Sequence, residues 1–205
     1  MGIFKNRSTF GERRANFGIG LAYIQQTKKH MKKPLVVLVL VMSLLAAKAQ
    51  DDKKGIEKVL GEKTLPSITL SDMNGKKVNV ADYGKSGKIT IISFWATWCV
   101  PCKKELTNMA DLYDEWKKKY NVQVVAVSID DSRSTSKVKP VVDGQRWEYE
   151  VLLDVNQDLK RQLNVPSVPF TLLVDANGKI VYMHNGYTDG DEYVLEEEVK
   201  KLVKN

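Results

Sequence analysis

The sequence predicts an α/β domain in which helices flank a central mixed sheet, and three features carry this prediction. Ile89–Trp95 and Val122–Ile129 are nearly continuous runs of apolar and β-branched residues, which is typical of parallel strands buried on both faces. Two Asn-Gly turns mark antiparallel hairpins, so the sheet is predicted to be mixed. Between the two runs, apolar residues recur every three or four positions, as on one side of a helix: Leu106, Met109, Tyr113, Trp116 and Tyr120.

The domain is predicted to begin with a β-hairpin extension. Ser67–Leu70 is a short apolar strand, Asp72–Lys76 contains the first Asn-Gly turn, and Val78–Val80 is the returning strand. We expect this N-terminal hairpin to cap the main sheet.

The middle of the domain is predicted to be a right-handed strand–helix–strand unit, formed by the two apolar runs and the helix between them. After this unit, Ser134–Val142 is weakly helical, Val151–Leu153 is a short strand and Gln157–Leu163 is a short helix.

The C-terminal part contains the second hairpin. Phe170–Val174 and Ile180–His184 are strands joined by Asp175–Lys179, and Glu192–Val203 is an amphipathic helix that closes the chain. We see no internal repeat, and the length suits one domain with one core.

The composition excludes several classes of protein. Hydrophobic and charged contents of 43% and 28% exclude a wholly disordered chain, and two cysteines exclude a multi-disulfide miniprotein. The net charge of +7 arises in residues 1–49, which hold nine of the 32 basic residues and one of the 25 acidic residues. The remaining 156 residues carry 23 basic and 24 acidic side chains, so no nucleic-acid partner is expected.

Residues 31–49 are predicted to be a signal peptide. Lysines precede the 13-residue apolar stretch Leu35–Ala47, and Ala47-Lys48-Ala49 has the small-x-small pattern of a cleavage site. We expect cleavage after Ala49 and export to the periplasm. The competing interpretation is an uncleaved membrane tether through residues 35–47.

The chain is therefore predicted to have four parts. Residues 1–30 are interpreted as a non-native or unstructured extension before a start at Met31, and the signal peptide follows it. Residues 50–61 are interpreted as a linker and residues 62–205 as the folded domain.

The segment WATWCVPC, residues 95–102, lies where a buried strand is predicted to end and a helix to begin. A cysteine at a helix N-terminus faces unpaired backbone N–H groups, which favour the thiolate and lower the thiol pKa from about 8.5. Cys99 is therefore predicted to be a nucleophile. Cys102 lies one helical turn further inward and is predicted to resolve a mixed disulfide on Cys99.

Two other interpretations of the cysteine pair are weaker. A zinc site needs two more ligands, and the mature chain offers only His184 besides carboxylates. A structural disulfide across so short a loop would add little stability. We therefore expect no metal and no cofactor other than a redox-active Cys99–Cys102 disulfide.

The motifs around this pair resemble those of a known family. FWATWCVPC at residues 94–102, the N-terminal hairpin, and VPSVPFT at residues 165–171 are similar to the TlpA/ResA-like exported thiol-disulfide oxidoreductases, which have the thioredoxin fold. The resemblance extends from about Glu62 to Lys204. It implies reduction of disulfides in exported proteins, either generally or in cytochrome c maturation. It also implies a membrane thiol transporter of the DsbD/CcdA type as the electron donor.

The resemblance assigns further residues. It implies that the Val168–Pro169 peptide bond is cis and faces the redox pair, with the backbone of Val168 free to pair with a substrate. Glu105 matches the acid that follows Cys-x-x-Cys-Lys-Lys in ResA-like proteins, and we expect it to accept the proton of Cys102. The competing interpretation is a surface glutamate paired with a lysine. Ser93 lies near the position of the buried acid of thioredoxins and cannot replace it as a base.

The tryptophans and the residues between the cysteines complete the predicted site. Trp98, Val100 and Pro101 are expected to line the substrate-binding surface with Val168 and Pro169. The other tryptophans, at positions 95, 116 and 147, are expected to pack in the core.

Two further functions remain as alternatives. Pro66–Leu70 resembles the opening of the peroxiredoxin family, which suggests a thiol peroxidase. That family keeps a threonine three residues before its cysteine, whereas Thr97 lies two before Cys99. The other alternative is a non-enzymatic carrier of copper or heme, although such carriers of this fold generally use C-x-x-x-C.

Overall fold

The computed structural model describes residues 63–204. The predictions for residues 1–30, 31–49 and 50–61 lie outside this range, as does the membrane tether at residues 35–47. Among the described residues, none of the helices is long and apolar enough to span a bilayer.

Strands and helices alternate along most of the described chain. In order, the elements are β1 (Thr69–Asp72), β2 (Lys77–Asn79), β3 (Ile89–Trp95), α1 (Val100–Tyr120), β4 (Val122–Ser128), α2 (Val138–Gln145), β5 (Glu150–Leu153), α3 (Asp158–Gln162), β6 (Phe170–Val174), β7 (Ile180–Asn185) and α4 (Asp191–Val203). Short 3₁₀ turns at Val80–Lys85 and Thr135–Lys137 precede β3 and α2.

The strands form one sheet in the order β2-β1-β5-β4-β3-β6-β7. β3, β4 and β5 are parallel to each other, while β6 and β7 on one side and β1 and β2 on the other are antiparallel to their neighbours. The predicted mixed sheet flanked by helices is therefore confirmed. The hairpin of β1 and β2 joins the sheet through β5, with Ser71 opposite Leu153.

The core lies against the central strands and α1. Every residue of β3 is buried, and so is most of β4, as expected for strands covered on both faces. Leu106, Met109 and Trp116 of the predicted helical stripe are buried. The other two members, Tyr113 and Tyr120, lie at the margin of the core and are partly buried.

The region after β4 differs from the predicted single helix at Ser134–Val142. A 3₁₀ turn at Thr135–Lys137 comes first, and α2 then continues three residues beyond Val142. Pro140 lies in the first turn of α2, where the missing N–H has no helical partner to lose. The helix ends because Arg146 adopts a left-handed conformation with φ of 57°.

Candidate active site

The site forms where the chain leaves β3 and enters α1. Cys99 is the N-cap residue of α1, with φ of −87° and ψ of 103°, and Pro101 occupies the first turn. The Cys99 N–H donates to the carbonyl oxygen of Ala96 at 3.0 Å, and Cys99 Sγ accepts from the backbone N–H of Cys102 at 3.3 Å. The sulfur of Cys99 therefore lies at the positive end of the helix, where a thiolate is stabilised.

The two cysteines form a disulfide, with their Cα atoms 5.3 Å apart. Cys99 keeps 5% of its surface exposed and Cys102 none, so an incoming sulfur reaches only Cys99. Next to Cys99, Trp98 and Val100 are 66% and 71% exposed, and Pro101 is also exposed. We call these three residues the apolar rim.

The Val168–Pro169 peptide bond is cis, as the resemblance predicted. Residues 96–99, which we call the cysteine loop, connect β3 to α1. Phe170 pairs with Phe94, so Pro169 lies beside the end of β3 where this loop begins. Pro169 is buried and its carbonyl oxygen accepts from the N–H of Gly186 at 2.9 Å. Among residues 63–204, the backbone N–H and C=O of Val168 make no backbone hydrogen bond, which leaves them available to a bound chain.

Glu105 lies one helical turn beyond Cys102 and is only 4% exposed. Its carboxylate accepts a hydrogen bond from Ser93 Oγ at 3.1 Å and another from Thr171 Oγ1 at 2.7 Å. Burial raises the pKa of Glu105 to about 7, against the two hydroxyl bonds, which favour the charged form. The interpretation of Glu105 as a surface glutamate paired with a lysine is therefore wrong.

The partners of Glu105 were not predicted from the sequence. Ser93 and Thr171 lie directly opposite each other on β3 and β6, and α1 places Glu105 over both. The available signal was Thr171, the one polar residue in the apolar strand Phe170–Val174. A small cavity on this side of the sheet is lined by Glu105, Met109, Thr171, Tyr182, His184, Asp191, Glu192 and Leu195.

A second buried carboxylate also lies near the cysteine loop. Asp130, two residues after β4, accepts hydrogen bonds from the backbone N–H and the hydroxyl of Thr97. The sequence analysis did not single out Asp130, because a lone aspartate after a strand has no distinctive pattern.

The remaining predicted residues lie as follows. His184 faces Asp191, with Nε2 3.2 Å from Oδ2, and within residues 63–204 no group of three or more His, Cys, Asp or Glu is arranged to hold a metal ion. Trp95 packs edge-on against Trp147 at 5.1 Å between ring centroids, and Trp116 is buried, so the predicted core positions of these three tryptophans are confirmed.

The chain is similar to known proteins in sequence and fold. The AhpC/TSA family model matches residues 62–183. The thiol-disulfide oxidoreductase ResA of Bacillus thuringiensis subsp. konkukian is 31% identical over 146 residues, which cover 71% of this chain and 80% of that protein.

Two solved structures are similar as well. A thioredoxin-like protein from Porphyromonas gingivalis is 48% identical, with a TM-score of 0.62 over 68% of this chain and 92% of that one. A putative thiol:disulfide interchange protein DsbE from Chlorobium tepidum is 27% identical, with a TM-score of 0.61 over 69% of this chain and 96% of that one. With its buried cysteine pair at a helix start, the chain belongs to the AhpC/TSA family and is a ResA-like thiol-disulfide oxidoreductase of thioredoxin fold.

Proposed function

We propose that this protein is exported and reduces disulfides in other exported proteins, with Cys99 as the nucleophile and Cys102 as the resolving thiol. The observation that carries the proposal is the unequal burial of two bonded cysteines at the start of α1. The outer sulfur lies against a backbone N–H and beside the apolar rim, whereas the inner sulfur is closed to solvent.

The reaction consists of two thiol-disulfide exchanges. In the reduced protein, the Cys99 thiolate attacks a substrate disulfide, which forms a mixed disulfide and releases one substrate sulfur as a thiolate. Cys102 then loses its proton and attacks Cys99 Sγ, which forms the Cys99–Cys102 disulfide and releases the second substrate sulfur. Two electrons pass from the protein to the substrate.

Glu105 accepts the proton of Cys102 in this scheme. Its place one turn along α1 from Cys102 and its pKa of about 7 suit a base that works near neutral pH. The hydroxyls of Ser93 and Thr171 hold the carboxylate in place.

The same carboxylate favours the direction of reduction. With a pKa of about 7, the buried Glu105 carboxyl group is partly ionised near neutral pH. Its negative charge, one turn from Cys102, disfavours a thiolate there and so destabilises the dithiol relative to the disulfide. A less stable dithiol is a stronger reductant. We expect a reduction potential near the value of about −270 mV that is typical of thioredoxin, and a value near −120 mV would indicate an oxidase instead.

The substrate surface is assigned to the apolar rim together with Val168 and Pro169. The exposed rim supplies apolar contact. The backbone of Val168, which makes no backbone hydrogen bond within residues 63–204, supplies hydrogen bonds to an extended substrate segment. Substrates of this type include apocytochrome c and other exported proteins with disulfides.

A reductase that works outside the cytoplasm needs a source of electrons for its own re-reduction. The periplasm has no reducing thiol buffer, so a membrane thiol transporter of the DsbD/CcdA type re-reduces the Cys99–Cys102 pair in this proposal. N-terminal sequencing of the protein recovered from the periplasm is expected to begin at Gln50. A chain found in the cytoplasm, starting at Met1 or Met31, would contradict the export step.

The catalytic roles are tested by insulin reduction with dithiothreitol as the electron source. We expect Cys99→Ser to lose activity, and Cys102→Ser to lose turnover while it accumulates a mixed disulfide that mass spectrometry detects. Activity that is unchanged in both variants would end the proposal.

The thiol peroxidase alternative is less well supported by the contacts of Thr97. Its hydroxyl donates to Asp130 Oδ1 at 2.6 Å and is committed to that carboxylate. Hydrogen peroxide consumption by the reduced protein, measured beside insulin reduction, separates the two activities. A metal assay of the purified periplasmic protein addresses the carrier alternative.

A further inference from the structure

Asp130 places a buried carboxyl group beside the cysteine loop. The residue is 1% exposed, and its carboxylate accepts from the Thr97 N–H at 2.8 Å, the Thr97 hydroxyl at 2.6 Å and the Ser128 hydroxyl at 2.8 Å. Among residues 63–204 it makes no salt bridge. Because burying a carboxyl group is costly, its three convergent hydrogen bonds point to a specific use of this side chain.

The residue that Asp130 holds is two positions before Cys99. Ile129 donates its N–H to the carbonyl oxygen of Trp95 at 2.9 Å, which continues the pairing of β3 and β4. Asp130 then fixes Thr97 by both its backbone and its hydroxyl. The end of β4 thus holds the chain at two successive points before it reaches Cys99.

We propose that Asp130 is a positioning residue for Cys99, because its bonds to Thr97 hold the loop that places the Cys99 sulfur against the Cys102 N–H. This inference rests on the proposed role of Cys99 as the nucleophile. Without the bonds between Asp130 and Thr97 the cysteine loop relaxes. The Cys99 thiolate then loses part of its contact with the helix N-terminus and becomes less populated at neutral pH.

The chain offers a matched control for the loss of a buried aspartate. Asp154 is as buried as Asp130 and lies just after β5, but its carboxylate accepts from the N–H groups of Leu159 and Lys160 at the start of α3. Its removal is expected to destabilise the fold without reaching the cysteine loop.

The experiment measures the rate of alkylation of the reduced protein by iodoacetamide at pH 7. We expect Thr97→Val and Asp130→Ala to slow the reaction of Cys99 about tenfold, and Asp154→Ala to leave it within twofold of wild type. Thr97→Ser keeps the hydroxyl and is expected to restore most of the rate that Thr97→Val loses. The disulfide of the two slow variants should also become harder to reduce with dithiothreitol, by a similar factor.

Two results would contradict the proposed positioning role of Asp130. One is an alkylation rate in Thr97→Val equal to that of wild type. The other is faster alkylation in Asp130→Ala, which would mean that the charge alone acts on the thiolate. If Asp130→Ala does not fold, the comparison of Thr97→Val with Thr97→Ser decides the question. Labelling of Cys102 instead of Cys99 in the wild-type protein would contradict the proposed function itself, independently of the role of Asp130.

Discussion

The outer and the inner half of the active site differ in how they are built. The outer half, residues 98–101, is one continuous segment that is exposed except for Cys99. The inner half comes from three elements, and all four of its residues are buried: Ser93 of β3, Cys102 and Glu105 of α1, and Thr171 of β6. In the proposed mechanism the outer half meets the substrate, and the inner half controls protons because its residues are buried.

The largest expected effect concerns stability and tests the enclosure of the inner half. Glu105 is protonated in both the folded and the unfolded chain well below pH 4.5. Between pH 4.5 and about 7 the unfolded chain releases this proton first, so the folded state loses about 3 kcal/mol of stability as the pH rises. Glu105→Gln, which does not titrate, should be more stable than wild type at pH 8 by up to this amount.

Urea unfolding of the oxidised proteins at pH 4.5 and pH 8 measures this difference. Glu115→Gln is a suitable control, since Glu115 is exposed and its pKa is lowered, chiefly by the hydrogen bond with Lys119. Equal pH dependence in wild type and Glu105→Gln would show that water reaches the carboxylate.

The second prediction concerns the rate of resolution. Glu105→Gln removes the base that we propose for Cys102, so release of a substrate from the mixed disulfide should slow about 100-fold at pH 7, while the first attack by Cys99 changes less. Stopped-flow mixing with a fluorescent disulfide peptide separates the two steps. A loss of rate confined to the first step would mean that Glu105 acts on Cys99 rather than on Cys102.

A smaller effect is expected at Thr171, which tunes the inner carboxylate. Thr171→Val removes a hydrogen bond that lowers the pKa of Glu105, so the rise of the resolution rate with pH should move up by about one pH unit. The pH profile of the same stopped-flow reaction measures the shift. A profile that moves to lower pH would mean that the hydroxyl favours the neutral acid.

The smallest effect is expected in the outer half. Trp98→Ala should lower kcat/KM for insulin about fivefold, because an exposed aromatic side chain next to Cys99 is a strong contact for a protein substrate. Reduction of a small disulfide such as dithiobisnitrobenzoate should stay within twofold. Tyr193→Ala, which also truncates an exposed aromatic residue, is the control. Equal losses for insulin and the small disulfide would place Trp98 in the chemistry rather than in docking.

The sequence predicted the outer half well and the inner half only in part. The apolar run before the cysteines and Pro101 after Cys99 are local signals for a strand end and a helix start, so the place of Cys99 follows from them. The contact of Glu105 with Ser93 and Thr171 depends on how β6 lies against β3 and how α1 packs on both. Residues separated by 66 positions, as Glu105 and Thr171 are, leave no local pattern of their contact.

The two Asn-Gly turns have the same local structure but different tertiary surroundings. In both turns the aspartate Oδ1 accepts the N–H groups of the following asparagine and lysine, and Gly75 and Gly178 both have φ of 84°. A Cβ at Gly75 would meet nothing within 4 Å, whereas one at Gly178 would lie 2.5 Å from the carbonyl oxygen of Gly84.

The sequence by itself determined the strands, the main helix, the turns and the cysteine at the helix start, because each depends on residues a few positions apart. The tertiary structure alone decided which neighbours these elements meet, including the enclosure of Glu105 and the anchoring of Thr97 by Asp130. Burial and long-range hydrogen bonds exist only once separate segments pack together, and these contacts set the protonation and the geometry of the site.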